Sequence, residues 1–487
     1  MFGTFRKFLV LGAAGFLSIP AWADLPTTYD LRDYGWITPA ENQGSLGICW
    51  AFAATTTYQS SLLRNGVVAD PLSTALDTSI WHLATHNGNQ TDLTFPYSGW
   101  GGDNYYAVGY WTRGEGEWKS TDDTLVSGGG AVMVSTDPLN VYPSGAVADH
   151  EDLAQYVPPA RQTLAPYRLV QSYDFAFKGT GTTTVAYRDQ LKQLMLDHGA
   201  LSIGMTAGGG STEPFSSFYN PVDATFRYTG AGAMNHEVVI AGWDDSKVVN
   251  INGVVSTGAW LVQNSWGTDF GQDGYFWIAY DDTKAATDGS AFDVRESLYK
   301  PTVLQNQIFA GTDPVGAGEG KASKAASKME SMTDETLLAL GLYMAGEQDF
   351  SISIYDDWGA AGPEGEALTT MDNLSVTHMG YVELTLNMPL FLRGGDAIYV
   401  VVDYGSGVAR PIMLDPKSLT LEGFDSFLGL SWGWDEDHWV DFAEEGDGIL
   451  YMKGLLAVPE PSTILLIGLG FVFVISLRRR AVRGGFY

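Results

Sequence analysis

Gln43-Gly44-Ser45-Leu46-Gly47-Ile48-Cys49-Trp50-Ala51-Phe52 carries the only cysteine of a 487-residue chain. A lone sulfur cannot close an internal disulfide, and this one stands behind a glycine-rich turn at the head of a helix-forming stretch. That is where a thiolate nucleophile would be put. Trp50, Ala54, Tyr58 and Leu62 recur at i+4 and Asn65-Gly66 supplies a stop, so a helix is expected from Trp50 to Arg64. Cys49 then sits at the positive end of the helix dipole.

A thiol needs partners before it can attack a carbonyl. A free thiol with a pKa of about 8.5 is mostly protonated at neutral pH, and negative charge developing on the carbonyl oxygen must meet a donor. Gln43 stands six residues before Cys49, and Gly44 and Gly47 allow the backbone to fold back so that its amide and the Cys49 N–H converge. Taken alone, Gln43 would read as a surface polar residue. Of the seven histidines, only His236 opens an apolar run, Val238-Val239-Ile240-Ala241, that ends in the turn-like Gly242-Trp243-Asp244-Asp245. An asparagine can hold such an imidazole by accepting its other N–H. Asn264 supplies one at the end of the apolar stretch Ala259-Trp260-Leu261-Val262-Gln263, with Trp266 beside it to exclude water.

Together these segments resemble the papain-like cysteine peptidases, from Asp24 to about Tyr280. The resemblance rests on the Gln43–Phe52 run, on Asn235-His236-Glu237-Val238-Val239-Ile240-Ala241-Gly242-Trp243, and on Asn264-Ser265-Trp266-Gly267 followed by Gly271-Gln272-Asp273-Gly274-Tyr275-Phe276-Trp277-Ile278. It implies a two-lobed fold, a helical lobe and a β-barrel-like lobe, and a Cys49, His236, Asn264 triad with Gln43 and the Cys49 backbone as oxyanion hole. It further implies that Gly101 and Gly102, in Trp100-Gly101-Gly102-Asp103, line the substrate cleft together with Trp266; a surface turn is the alternative for the glycine pair. Leu191 to Met205 resembles the helix and strand that precede the histidine in relatives.

Departures accompany the resemblance. His236 lies 187 positions and Asn264 215 positions after Cys49, against roughly 130 to 150 for papain-type spacing. Insertions are expected between Tyr105 and Gln190 and in a hairpin at Asn252-Gly253. Glu237 replaces a residue that is usually small in the family, and Leu46 takes the place of a common half-cystine. No inhibitory propeptide is expected between the leader and the catalytic start.

Both ends read as addresses. Residues 1–23 combine Arg6 and Lys7, an apolar run and Ala21-Trp22-Ala23, the pattern of a cleaved signal peptide. Val458-Pro459-Glu460-Pro461-Ser462, the apolar Thr463 to Leu477 and Arg478-Arg479-Arg480 resemble the PEP-CTERM sorting signal of Gram-negative bacteria. That resemblance implies an exosortase partner and export to the cell surface or extracellular matrix. A short transmembrane segment is expected to anchor the chain transiently in the inner membrane, its arginines on the cytoplasmic side.

The chain carries a net charge of −30, an acidic balance that excludes nucleic acid as a partner. Hydrophobic residues make up 45% of the chain, enough for two folded cores. Beyond a Gly-, Ala-, Ser- and Lys-rich stretch at Gly311–Ser331, period-two segments at Phe350–Tyr355 and Val382–Leu386 and the apolar run Ile398–Val402 indicate short strands. This half resembles the lectin-like β-sandwich that follows papain-like domains in some exported bacterial proteins. Trp432, Trp434 and Trp439 could stack on a carbohydrate or pack in a core. No metal-ligand spacing and no phosphate-cradling glycine motif occurs, so no metal or cofactor is expected.

The fold class expected is therefore α+β, a papain-like peptidase followed by an all-β sandwich. The domains are residues 1–23 (signal peptide), 24–300 (peptidase), 301–331 (linker or long loop), 332–457 (sandwich) and 458–487 (sorting tail). The activity expected is peptide-bond hydrolysis on a protein or peptide substrate. A non-catalytic or acyl-transferring surface protein, acting in binding or adhesion, is the alternative.

Overall fold

The helix that begins at the cysteine, Cys49–Arg64, is buried almost all round. The i+4 period identifies one of its faces, but a helix enclosed on every side is a central core element. Its polar residues are therefore paired: Thr38 donates to Gln59 Oε1 at 2.8 Å, Gln59 Nε2 to the Leu76 carbonyl at 2.6 Å, and Ser60 to the Trp36 carbonyl at 2.6 Å. Ser61 Oγ accepts the Val294 N–H at 3.0 Å. The expected stop holds, with the Asn65 N–H returning to Ser61 and Gly66 left-handed at φ 68°.

The structure, a computed structural model, describes residues 25–44, 47–80, 83–84, 87, 101–112, 124–127, 130–133, 166–179, 181–208, 213–297, 302–305, 313–315, 323–406, 411–415, 429–435, 437–445 and 449–457. The expected signal peptide, the sorting tail and most of the expected insertion after Tyr105 lie outside them.

A long open sheet runs through the molecule. In spatial order its path is Thr302–Gln305, Met452–Ala457, Glu335–Ala345, Met379–Leu392, Tyr167–Ala176, Asp288–Glu296, Leu201–Met205, His236–Ile251, Val254–Gln263, Tyr275–Ala279, Thr225–Phe226 and Tyr219–Asn220. Among the described residues these strands do not close into a barrel, so the architecture is a mixed α+β fold dominated by strands. The histidine strand, His236–Ile251, and the strand leading to Asn264, Val254–Gln263, pair antiparallel through the expected hairpin. Asn252 and Gly253 take φ of 54° and 84° there, the twist that an Asn-Gly turn supplies without strain. The helix Val185–His198 leads into the strand Leu201–Met205, which pairs with the histidine strand.

A second sheet, ordered Thr369–Val376, Gln348–Tyr355, Ala397–Asp403, Lys324–Glu330, Ser431–Asp435 and His438–Asp441, packs on the far end of the first. Their shared core joins Leu337, Leu340, Leu342 and Leu456 of the long sheet to Ile352, Ile354, Val400 and Val402 of the short one. Gln348–Tyr355 alternates buried and outward residues along its whole length, the period that its sequence predicts.

Two expectations are corrected. The stretch taken as a linker contains Lys324–Glu330, an inner strand paired on both sides, with Ala326 opposite Val401 and Trp432. Alanine, serine and lysine have weak strand preference, and here the neighbours impose the conformation. The transmembrane anchor is not borne out either. Among the described residues no helix is long and apolar enough to cross a membrane, and the apolar stretch at 463–477 that prompted the expectation lies outside them. Its length of about 15 residues falls short of the roughly 20 that span a bilayer.

The two halves of the chain are joined edge to edge. Met379 pairs with Asp174 and Val382 with Gln171 across the strands Met379–Leu392 and Tyr167–Ala176. Tyr343, Tyr381, Tyr451 and Met413 enter the same core as Trp50, Tyr58 and Trp111 around the cysteine helix. Polar ties reinforce the seam: Tyr343 donates to the buried Asp174 carboxylate, the Tyr381 N–H to Ser172 Oγ at 2.8 Å, and Arg168 pairs with Glu383 at 2.8 Å. Gly380 permits the closest approach, since its φ is 135° and a Cβ there would lie 2.3 Å from the Ser172 carbonyl oxygen. Gly380→Ala is therefore expected to cost about 1–3 kcal/mol and to split urea unfolding, followed by tryptophan fluorescence, into two transitions. A variant with unchanged midpoint and one transition would show that the seam carries no such load.

Candidate active site

The helix at Cys49 begins without a side-chain cap: Ile48 occupies the cap position, and only its carbonyl serves the first turn, accepting the Ala51 N–H at 3.0 Å and the Phe52 N–H at 3.3 Å. The N–H groups of Cys49 and Trp50 are left to face the sulfur. The Cys49 thiol, half-buried, meets the backbone N–H groups of Trp50, of Cys49 itself and of Glu237, the residue that follows His236. These donors favour the thiolate, but burial acts more strongly and pushes the thiol up to about 11.

His236 is buried, and its Nε2 lies 2.8 Å from Asn264 Oδ1. An amide oxygen only accepts, so Nε2 carries the proton and Nδ1 keeps the ring's lone pair. Trp266 stacks on the imidazole with centroids 4.9 Å apart, and Phe215 and Phe270 pack edge-on against Trp266. This enclosure holds the imidazole down to about 4, the Asn264 bond opposing the shift in part.

Asn264 Oδ1 also accepts the Ser265 N–H at 2.9 Å, while its Nδ2 is buried with no hydrogen-bond partner. Ser265 Oγ donates to Gln43 Oε1 at 2.5 Å, and the Gln43 N–H donates to the Ser265 carbonyl at 2.8 Å. Fixing Oε1 fixes the amide plane and so the direction of its NH2 edge. The Gly267 N–H reaches the Glu41 carbonyl at 2.9 Å, so the glutamine arm and the asparagine turn are zipped together. A single bonded network thus links Gln43, Ser265, Asn264 and His236, and the thiol touches the backbone next to it.

The expected cleft residues divide. A Cβ on Gly102 would lie 2.2 Å from the Trp50 indole, so this glycine is required where the chain crosses the ring that follows Cys49. Gly101 is exposed and left-handed at φ 74°, with open space around it, as a turn residue would be. Trp266 covers His236. Sequence reasoning missed Ser265 as the clamp on Gln43, although it stands inside the quoted Asn-Ser-Trp-Gly run. It also missed Glu41, whose carboxyl burial raises to about 8, and Asn104 and Asp288, which approach Glu237 from other elements. Among the described residues no group of His, Cys, Asp and Glu is arranged to hold a metal.

Residues 25–79 and 144–292 match the papain family cysteine proteases, and residues 457–480 match the PEP-CTERM protein-sorting motif. Human cathepsin L2 is 26% identical over 265 residues, covering 54% of this chain and 63% of that protein. Chicken cathepsin K is 24% identical over 275 residues, covering 54% and 62%. The chain thus spans about three fifths of the length of these curated relatives. The structure of the clostridial cysteine protease Cwp84 after propeptide cleavage superposes with a TM-score of 0.66 at 20% identity, covering 88% of this chain and 99% of that one. The cysteine protease and lectin-like domains of Cwp84, a surface layer associated protein of Clostridium difficile, give a TM-score of 0.63 at 20% identity, covering 89% of each chain. The fold is therefore shared through both halves. On the matched segments, the chain carries a papain family cysteine protease domain together with a PEP-CTERM sorting motif.

Proposed function

We propose that this chain is an exported cysteine endopeptidase that hydrolyses peptide bonds of a protein or peptide substrate. The observation that carries the reading is the Nε2 to Asn264 bond, which leaves Nδ1 as the basic nitrogen of a buried imidazole, on the residue next to the backbone N–H that meets the one thiol. With the thiol pushed up to about 11 and the imidazole held down to about 4 by burial, neutral thiol and neutral imidazole are the resting pair.

In this reading the sulfur attacks the scissile carbonyl carbon as its proton passes to His236 Nδ1, and the oxyanion is met by the Gln43 amide and the Cys49 N–H. The imidazolium then protonates the leaving amine, and water, deprotonated by the neutral imidazole, hydrolyses the thioester. Creating both charges in one step avoids isolating either of them in a poorly solvated site. The peptidase unit is assigned to residues 24–300, with a helical lobe carrying Cys49 and a strand-built lobe carrying His236 and Asn264. Gly102 and Trp266 belong to its cleft. The sandwich is assigned to 324–457, taking in the inner strand Lys324–Glu330, and the sorting tail, with an exosortase-type partner, to 458–487.

A carbohydrate or cell-surface ligand for the sandwich is supported by its ring cluster. Trp358 stacks on Trp432 at 4.5 Å and on Tyr399 at 5.4 Å, Trp434 meets Trp439 edge-on at 5.5 Å, and all are half-buried.

An epoxide thiol trap is expected to label Cys49 stoichiometrically, and peptide cleavage to disappear in Cys49→Ala. Gln43→Ala is expected to lower kcat by about 10²–10³. A thiol no more reactive than free cysteine, with no peptide of a broad panel cut, would favour a binding or adhesion role instead.

The buried imidazole also predicts a pH dependence. Folded His236 takes up its proton near pH 4, below the 6.5 of an unfolded chain, so its contribution to stability is intact above about 6.5 and is lost as pH falls towards 4. Nitrogen-15 NMR of the imidazole is expected to show the Nε2–H tautomer still neutral at pH 5.5. Titration at the ordinary value of about 6.5 would contradict the enclosure by Trp266.

A further inference from the structure

Beside the thiol lies a concentration of hydrogen-bond acceptors that the proposed chemistry does not use. Glu237 follows His236, and its backbone N–H meets the Cys49 sulfur. Its own carboxyl is half-buried and accepts from Ser202 Oγ at 2.8 Å and from the Asn104 side chain. Gly204 is paired in register with Glu237 on the adjacent strand and has no side chain. Asp288 fills that space, lying 2.7 Å from where a Gly204 Cβ would stand and accepting the Gly204 N–H. Asp103 completes the group from the segment in which Gly102 crosses the Trp50 ring, and it is exposed to solvent.

Burial, and after it the like charges of Asp103 and Asp288, hold the Glu237 carboxyl well above the usual range. Asn104 adds an independent sign. It is 5% exposed, its amide group reaches Glu237, and its Oδ1 is buried with no hydrogen-bond partner. Three carboxyls and an orphan carbonyl give a surplus of acceptors in a place that still opens to solvent. What satisfies such a surplus is a cation with several N–H donors.

We propose that Glu237, Asp288, Asp103 and Asn104 form an acidic subsite that takes the ammonium or guanidinium group of a lysine or arginine within two residues of the scissile bond. The proposal rests on the peptidase reading, because it takes the bond under attack to lie at Cys49. Glu237 is then the specificity-determining residue, its side chain reaching the acceptors while its backbone reaches the sulfur. Leaving those acceptors unpaired is what rejects an apolar or acidic side chain at that position.

Two measurements on the full chain separate this subsite from the activity itself. In the Cys49→Ser variant, fluorescence anisotropy of hexapeptides bearing lysine, leucine or glutamate at each position in turn is expected to show at least tenfold tighter binding for lysine at one position. The preference should be lost in Cys49→Ser/Glu237→Gln, weakened in Cys49→Ser/Asp288→Asn and partly restored by Glu237→Asp. In the wild-type chain the same position is expected to favour lysine in kcat/KM. Equal binding of the three peptides, or a preference that survives Glu237→Gln, overturns the subsite. A chain that cuts peptides without favouring lysine also overturns the subsite and leaves the peptidase reading standing. A chain that cuts none, with an inert thiol, overturns the peptidase reading, and the subsite with it.

Discussion

Desolvation of ionisable groups around one sulfur is the constraint on which the rest of this structure depends. A buried thiol and a buried imidazole each resist charge, so the surroundings must supply every donor and acceptor that water would have offered. The uncapped helix head supplies N–H groups to the sulfur, Asn264 supplies an acceptor to His236, and Ser265 fixes the amide of Gln43. The central position of the helix follows from the same requirement. A nucleophile held by backbone donors is only as well placed as the helix that carries them, and this helix is clamped on every face.

Much of this could be read from the chain because local signals coincided with tertiary demands. Cys49 was singled out by being alone, His236 by opening an apolar strand, Asn264 by closing another, and the Asn252-Gly253 hairpin by its turn chemistry. What escaped were interactions between segments far apart in sequence. Ser265 bonds Gln43 over 222 positions and the Asn104 side chain bonds Glu237 over more than a hundred, and neither residue carries a periodic or compositional mark of its partner. The strand Lys324–Glu330 was hidden for the opposite reason, its small residues reading as a loop while Val400 to Val402 and Ser431 to Gly433 impose extended pairing from either side. Glu237 was visible as an unusual residue, but its meaning depended on Asp288 and Gly204.

The sandwich is more than an appendage to the cysteine-bearing half. Its tyrosines complete the core on one side of the helix, and Thr112 and Tyr451 share a hydrogen bond of 2.6 Å over 339 positions. Asp174, buried at the seam, is raised to about 7 by that burial and is held by Ser290 and Tyr343, one from each half. Rigidity at the helix head therefore draws on residues more than three hundred positions downstream.

The edge-to-edge joining of Met379–Leu392 with Tyr167–Ala176 bears on how such a molecule could be dissected or inherited. A polypeptide stopped near residue 300 would bare a row of unpaired backbone groups along Tyr167–Ala176 and the Tyr105 ring that packs on Tyr343, an invitation to cross-molecular strand pairing and precipitation. Gene shuffling that exchanged the trailing half would face the same penalty unless the recipient edge were matched in register, so the halves are tied into one inherited unit.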